Sequence, residues 1–172
     1  GTTPANVTDR SQLQPLLKEQ KKIHSLTPQE LTADKAYDWG ENLESLAINK
    51  TIANIALTKQ VNHRTGVDFT VGDFLYDPEN IKLMCPAGHI STNSYSQLLR
   101  YNYQLNKPGY AFRFRPSICN VCPLKPKCVK NKAGRRVYIS YYEPYFRMAR
   151  ERLATEKGKQ AYHNRYKIEQ KV

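Results

Sequence analysis

The alternation of helix and strand patterns over residues 1–58 constrains this 172-residue chain more than any other feature. Residues 8–22 read as a helix, because Thr8 or Asp9 can cap it and Leu13, Leu16 and Leu17 recur at helical spacing. Pro28 breaks the chain. Glu30-Leu31-Thr32-Ala33-Asp34 is short and apolar enough for a buried strand, and it ends on an acid. Asp38 can cap a second helix to about Asn49, with Leu43, Leu46 and Ala47 facing inward. Residues 51–58 read as a second strand. Helix, strand, helix, strand is an α/β pattern.

From about Lys59 to Val137 the texture changes. Residues 63–66 are loop-like. Phe74-Leu75-Tyr76 and Ile81-Lys82-Leu83-Met84 flank Asp77-Pro78-Glu79-Asn80, a good hairpin turn. Tyr110 to Arg115 alternates strictly and predicts a strand with one basic face. Arg136 to Tyr142 is a further strand, and Glu143 to Leu153 a helix whose basic face carries Arg147, Arg150 and Arg152. Thr155 then caps a helix that runs through Val172. The expected organisation is a core in two pieces, residues 1–58 and 138–172, interrupted by a β-rich insertion over residues 59–137.

Charge is distributed unevenly. Residues 1–84 carry 9 Lys or Arg and 11 Asp or Glu; residues 85–172 carry 18 and 4. A one-sided basic segment is the footprint of a partner rich in phosphate, although a solubilising excess gives the same count. At 40% hydrophobic and 24% charged the chain is globular rather than disordered. No apolar run approaches the about 20 residues of a membrane span, and Gly1-Thr2-Thr3-Pro4 is no signal peptide. The missing initiator Met and the unfinished helix at Val172 suggest a fragment.

All four cysteines fall within the insertion. Cys119 and Cys122 form a Cys-x-x-Cys pair, Cys128 follows, and Cys85 opens Cys-Pro-Ala-Gly-His. Four soft ligands suit tetrahedral Zn²⁺, and His89 can replace one thiolate. Ordinary buried thiols are the alternative. A redox pair would open a helix after a strand, whereas this pair is expected in a Pro-rich loop (Pro116, Pro123, Pro126). Without a secretory signal the compartment is reducing, which disfavours disulfides.

Two acids stand out by position. Asp34 closes the first strand, where α/β proteins place their sites. Glu169 is the one acid between Lys157 and Val172, among five Lys or Arg, and Tyr162, Arg165 and Glu169 are spaced to share one helical face. An ion pair with Arg165 or Lys167 would explain Glu169 too. In-line phosphodiester cleavage needs two divalent ions, and Mg²⁺ is held by a few carboxylates. Acids from a strand end and a facing helix can supply them.

These residues resemble a family. Leu31-Thr32-Ala33-Asp34-Lys35-Ala36-Tyr37-Asp38 looks like the second-aspartate motif of DDE insertion-sequence transposases, and Tyr162-x₂-Arg165-x₃-Glu169 is similar to the signature around their catalytic glutamate. Cys85-Pro-x-Gly, then Cys119-x-x-Cys122-Pro123 and Cys128, resembles the cysteine-bearing insertion of one branch. Residues 3–9 look like the stretch after the early strands. The resemblance implies a partial RNase H-like core, lacking its first strands, with a β-rich, zinc-binding insertion. It implies Asp34 and Glu169 as carboxylates for Mg²⁺ or Mn²⁺, with Arg165 and Tyr162 positioning DNA or the glutamate. The first catalytic aspartate would precede Gly1, so the piece alone is expected not to cleave DNA.

The implied partners are transposon-end and target DNA, held by a homodimer or larger assembly in the bacterial cytoplasm at the nucleoid. Arg113, Arg115, Lys125, Lys127, Lys130 and Lys132 are candidate phosphate contacts. Tyr101, Tyr103 and Tyr110 could stack on bases, with core packing the alternative use. The competing reading of the whole chain is a non-enzymatic zinc-ribbon module that binds nucleic acid. If Asp34 and Glu169 carboxylates lie on opposite faces, that reading wins.

Overall fold

The structure, a computed structural model, describes residues 9–58, 67–91, 94–98 and 108–169. Tyr101, Tyr103, the residue 63–66 loop and the segment before Asp9 lie outside the described residues, as does the side chain of Glu169. The chain divides into two compact units, Gly1–Thr58 with Tyr142–Val172, and Lys59–Tyr141.

The first unit begins with a 3-10 turn at Asp9–Ser11 and helix α1 (Leu13–His24). Strand β1 (Glu30–Ala33), helix α2 (Gly40–Ile48) and strand β2 (Ile52–Ile55) follow. The two strands pair in parallel, Glu30 opposite Ile52 through Ala33 opposite Ile55, with α2 as the crossover. Leu13, Leu43, Leu46, Ile55 and Ala149 form the buried core. Burying a Leu or Ile side chain of this kind contributes about 1.5–3 kcal/mol.

Two expected caps are not made. Asp9 belongs to the 3-10 turn, and α1 starts one residue after Gln12 with no side-chain cap. Pro15 in its first turn fits there because no intrahelical N–H is needed. Asp38 does not cap α2 either; its Oδ2 accepts from the Thr58 N–H at 2.6 Å, tying the chain after β2 to the loop after β1. Leu16, expected on the inner face of α1, is 50% exposed.

The second unit contains an antiparallel sheet of β3 (Leu75–Asp77), β4 (Lys82–Met84) and β5 (Ile90–Ser91). A second antiparallel sheet joins β6 (Ser94–Leu98), β7 (Pro108–Arg113) and β8 (Arg136–Ile139) in that order. Between β7 and β8 lie two short helices, α3 (Pro116–Val121) and α4 (Lys125–Cys128). The core is aromatic: Phe74, Tyr76, Phe112 and Phe114 pack with Leu83, Val137 and Ile139, with ring centroids 5.8–5.9 Å apart for Tyr76–Phe112 and Phe74–Phe114. The alternation holds from Phe112 to Arg115, with Phe112 and Phe114 buried and Arg113 and Arg115 exposed, but Ala111, on the expected basic face, is fully buried.

The hairpin turn at residues 77–80 forms as its residues dictate. Asp77 Oδ1 accepts from the backbone N–H groups of Glu79 and Asn80, and its Oδ2 from the Asn80 side chain at 2.8 Å. The Asn80 side chain, then its N–H, hold the Asp77 carboxyl below its ordinary range.

The chain returns to the first unit with helices α5 (Glu143–Ala154) and α6 (Glu156–Glu169). Helix α5 packs on α2 and β2, and α6 on both strands. Among the described residues, no helix is long and apolar enough to cross a membrane.

Candidate functional site

Asp34 follows the last residue of β1, at the carboxyl end of a parallel strand pair. Its backbone is extended, and its Oδ1 accepts the Ala36 N–H, so the carboxylate caps the 3-10 turn Lys35–Tyr37. That bond restricts the carboxylate's rotation. The other oxygen, Oδ2, lies 4.0 Å from Nη1 of Arg165 on α6. Asp34 remains 48% exposed and Arg165 27%, so the pair borders solvent. The Arg165 guanidinium is 5.1 Å from the Tyr162 ring centroid, one turn back on the same helix.

The structure therefore brings Asp34, Arg165 and Tyr162 together. Helical backbone continues to Glu169, four residues beyond Arg165, so Glu169 takes the same helical face by spacing. The side chain itself lies outside the described residues.

The angle at which α6 meets β1 has a local cause. Thr155, between α5 and α6, donates its N–H and its Oγ1–H to the Arg152 carbonyl at 3.2 and 2.7 Å. Its Oγ1 accepts the Gly158 N–H at 3.0 Å, the cap read from the sequence. Gly158 is buried against that corner: a Cβ there would lie 2.0 Å from the Arg152 oxygen.

A polar network running from Glu30 at the amino end of β1 to Asn54 near the carboxyl end of β2 was not anticipated. Asn54, fully buried on β2, donates to Glu30 Oε1 at 2.8 Å and accepts from Arg152 Nε at 2.8 Å. Arg152 also bonds Glu30 through Nη2. The Asn54 hydrogen bond, helped by Arg152 and by the charge of Lys157, holds the Glu30 carboxyl below its ordinary range against the opposing effect of burial. The signal available was Asn54 itself, a lone amide in an apolar strand, since a buried amide demands partners. The basic face expected on α5 is largely spent internally, because Arg150 pairs with buried Glu143 as Arg152 does with Glu30.

In the second unit all four cysteines are free thiols, and they line one cavity of about 20 Å³ with His89 at its wall. Cys85 opens a tight turn in which its N–H donates to the His89 carbonyl at 2.9 Å and Gly88 donates back to Cys85 at 2.8 Å. Burial first, and then the neighbouring thiols Cys119, Cys85 and Cys122, push the Cys128 thiol up, against the attraction of Arg135. Among the described residues, no group of three or more His, Cys, Asp or Glu is arranged to hold a metal ion. The Pro-rich loop expected around the Cys-x-x-Cys pair is instead two short helices. Pro116 and Pro126 occupy their first turns, where proline's fixed φ favours helix initiation.

The candidate phosphate contacts divide. Arg113, Arg115, Lys127, Lys130 and Lys132 are exposed. Lys125 turns toward the cysteines, lining their cavity and donating to Asn120 Oδ1 at 2.9 Å. Tyr110 packs against Tyr76 and Phe112, the core use.

A family model described as the transposase DDE domain matches residues 84–172. The chain belongs to the transposase DDE domain family. Searches of the curated proteins and of the solved structures return no match. The matched stretch of this DDE domain starts one residue before Cys85 and takes in the cysteines and α6. Asp34 lies outside it, so its assignment rests on position in the fold. Membership implies an RNase H-like fold, which the mixed helix and parallel strand pair of the first unit accord with, and a DNA-binding enzyme that uses divalent metal.

Proposed function

We propose that this chain carries part of the catalytic machinery for metal-dependent phosphodiester cleavage and strand transfer in DNA transposition, with Asp34 and Glu169 as metal carboxylates. The observation that carries the reading is the approach of Arg165 on α6 to Asp34 at the carboxyl end of β1. Two elements distant in sequence meet at the place where parallel sheets put their ligands.

The residues present fit Mg²⁺ or Mn²⁺. Asp34 is a half-exposed carboxylate with one oxygen held by a backbone N–H and the other turned to the helix that carries Glu169. Bound metal would polarise phosphate oxygen and activate water or a 3′-hydroxyl. The chain's own residues do the positioning. Arg165, permanently charged and backed by the Tyr162 ring, presents donors that suit a phosphate in bidentate fashion. Its charge offsets that of Asp34 before substrate arrives.

The second unit is, in this reading, the cysteine-bearing insertion. Zinc there is supported by donor chemistry, four free thiols around one cavity, and not by ligand geometry. Assembly as a dimer on paired DNA ends in the bacterial cytoplasm belongs to the same proposal. A non-enzymatic zinc-ribbon module remains the second reading, favoured by the cysteine cavity alone.

Asp34→Asn separates the two. Asn keeps an oxygen for the Ala36 N–H and loses the charge. Mn²⁺ binding followed by paramagnetic broadening should weaken at least tenfold in Asp34→Asn. Unchanged Mn²⁺ affinity would leave the binding-module reading standing.

A further inference from the structure

From Asn80 to Tyr142 the chain contains 11 Lys or Arg and no Asp or Glu. The fold concentrates part of that charge. Arg113 on β7 is directly opposite Arg136 on β8, both exposed and therefore on the same sheet face. Like charges facing each other across a strand pair are destabilising. Among the described residues neither arginine is within ion-pair distance of a carboxylate.

The turn leading into β8 completes a groove of about 430 Å³ with Arg113, Lys130, Asn131, Arg135 and Arg136 on its walls. Gly134 has φ +82°, and a Cβ on it would lie 2.3 Å from the Phe114 carbonyl oxygen. Only glycine lets the turn lie this close to the chain leaving β7. Asn131 Oδ1 accepts the Ala133 N–H at 2.9 Å, fixing the same turn. Arg135 is committed to the protein, donating to the Cys128 and Phe69 carbonyls at 2.9 and 3.1 Å. It adds positive charge, and among the described residues no carboxylate pairs with it. Arg113, Lys130 and Arg136 are left facing outward.

We propose that Arg113, Arg136 and Lys130 form a binding groove for the phosphate backbone of duplex DNA; this rests on the transposase reading for the identity of the polymer. Arg136 was not among the residues singled out from sequence, and Lys125 drops out. Arg115 lies two residues beyond Arg113 and extends the charge along the strand direction. A line of cations suits a repeating polyanion better than a single phosphate. Contacts of this kind position the duplex without reading its sequence.

The test is fluorescence anisotropy with a random-sequence duplex over a salt series. Arg113→Ala/Arg136→Ala should reduce the slope of log K against log salt by about 2 and weaken binding at least tenfold near 0.1 M salt. Arg113→Lys/Arg136→Lys should keep the slope, and Lys18→Ala/Lys21→Ala on α1 should leave it unchanged. The alanine pair should melt no lower than the parent, since repulsion is removed. An alanine pair that folds and binds like the α1 control overturns the proposal, as does tighter binding of single-stranded RNA than of duplex DNA. Asp34→Asn tests the transposase reading separately, because it changes metal affinity and leaves this salt slope alone.

Discussion

Gly158→Ala is the most discriminating perturbation of the Asp34–Arg165 arrangement. In an exposed helix, alanine in place of glycine adds at most about 1 kcal/mol of stability. Here the new Cβ would be 2.0 Å from the Arg152 oxygen and 2.7 Å from its carbonyl carbon. Those atoms are backbone, so no side-chain rotation relieves the contact. The oxygen is also held by the Thr155 N–H and hydroxyl. Forcing the helices apart costs about 1–3 kcal/mol for overpacking, and disturbing the Thr155 cap adds about 1 kcal/mol. The net expectation is destabilisation of about 1–3 kcal/mol. A loss of 2 kcal/mol lowers Tm by about 4–8 °C in a chain of this length. Because α6 carries Glu169, the second carboxylate of the proposed metal site, Mn²⁺ affinity should fall as well. Differential scanning calorimetry with Mn²⁺ titration reads both. A Tm raised by the substitution would refute the close-packed corner.

Lowering pH should remove the contribution of Glu30. Its folded pKa is depressed, so the stabilisation is present above the unfolded value of about 4.3 and is lost as pH falls through the folded pKa. Chemical denaturation between pH 3 and 6 should show this loss, and Glu30→Gln should flatten it. Ile81 has φ +49° at the end of the hairpin turn, a region that β-branched residues avoid. Ile81→Asn should stabilise by about 0.5–1 kcal/mol in urea unfolding, since Asn visits this region readily; a loss would show that packing of the Ile side chain outweighs the backbone strain. Protein purified without chelator should carry about one equivalent of zinc, lost in Cys119→Ser/Cys122→Ser. Four freely titrating thiols and no bound metal in native protein would sink the zinc proposal.

The periodic elements were legible in the sequence because burial enforces them. The Phe112–Arg115 alternation and the Asp77–Asn80 turn appear where the pattern put them. The misses concern polar groups with several available partners. Asp38 satisfies the Thr58 amide rather than capping α2, a choice made by tertiary contact. Asp34 and Arg165 could be placed on a strand end and a helix face, but their 4.0 Å approach depends on how α6 leaves α5. The Glu30–Asn54–Arg152 network joins three elements, and only folding reveals it. The proline-led helices around Cys119 and Cys128 were hidden by reading proline as a loop marker.

Arg152 does two jobs from one position. Its guanidinium is bolted to Glu30 at the amino end of β1 and to Asn54 near the carboxyl end of β2, while its carbonyl sets where α6 departs. The lever arm from that residue to Arg165 and Glu169 is therefore referenced to the same sheet that presents Asp34. Small errors at Arg152 would be magnified along the length of α6. A substitution there should shift Arg165 relative to Asp34 without touching either residue, so the spacing between β1 and α6 can be altered from the α5–α6 corner alone.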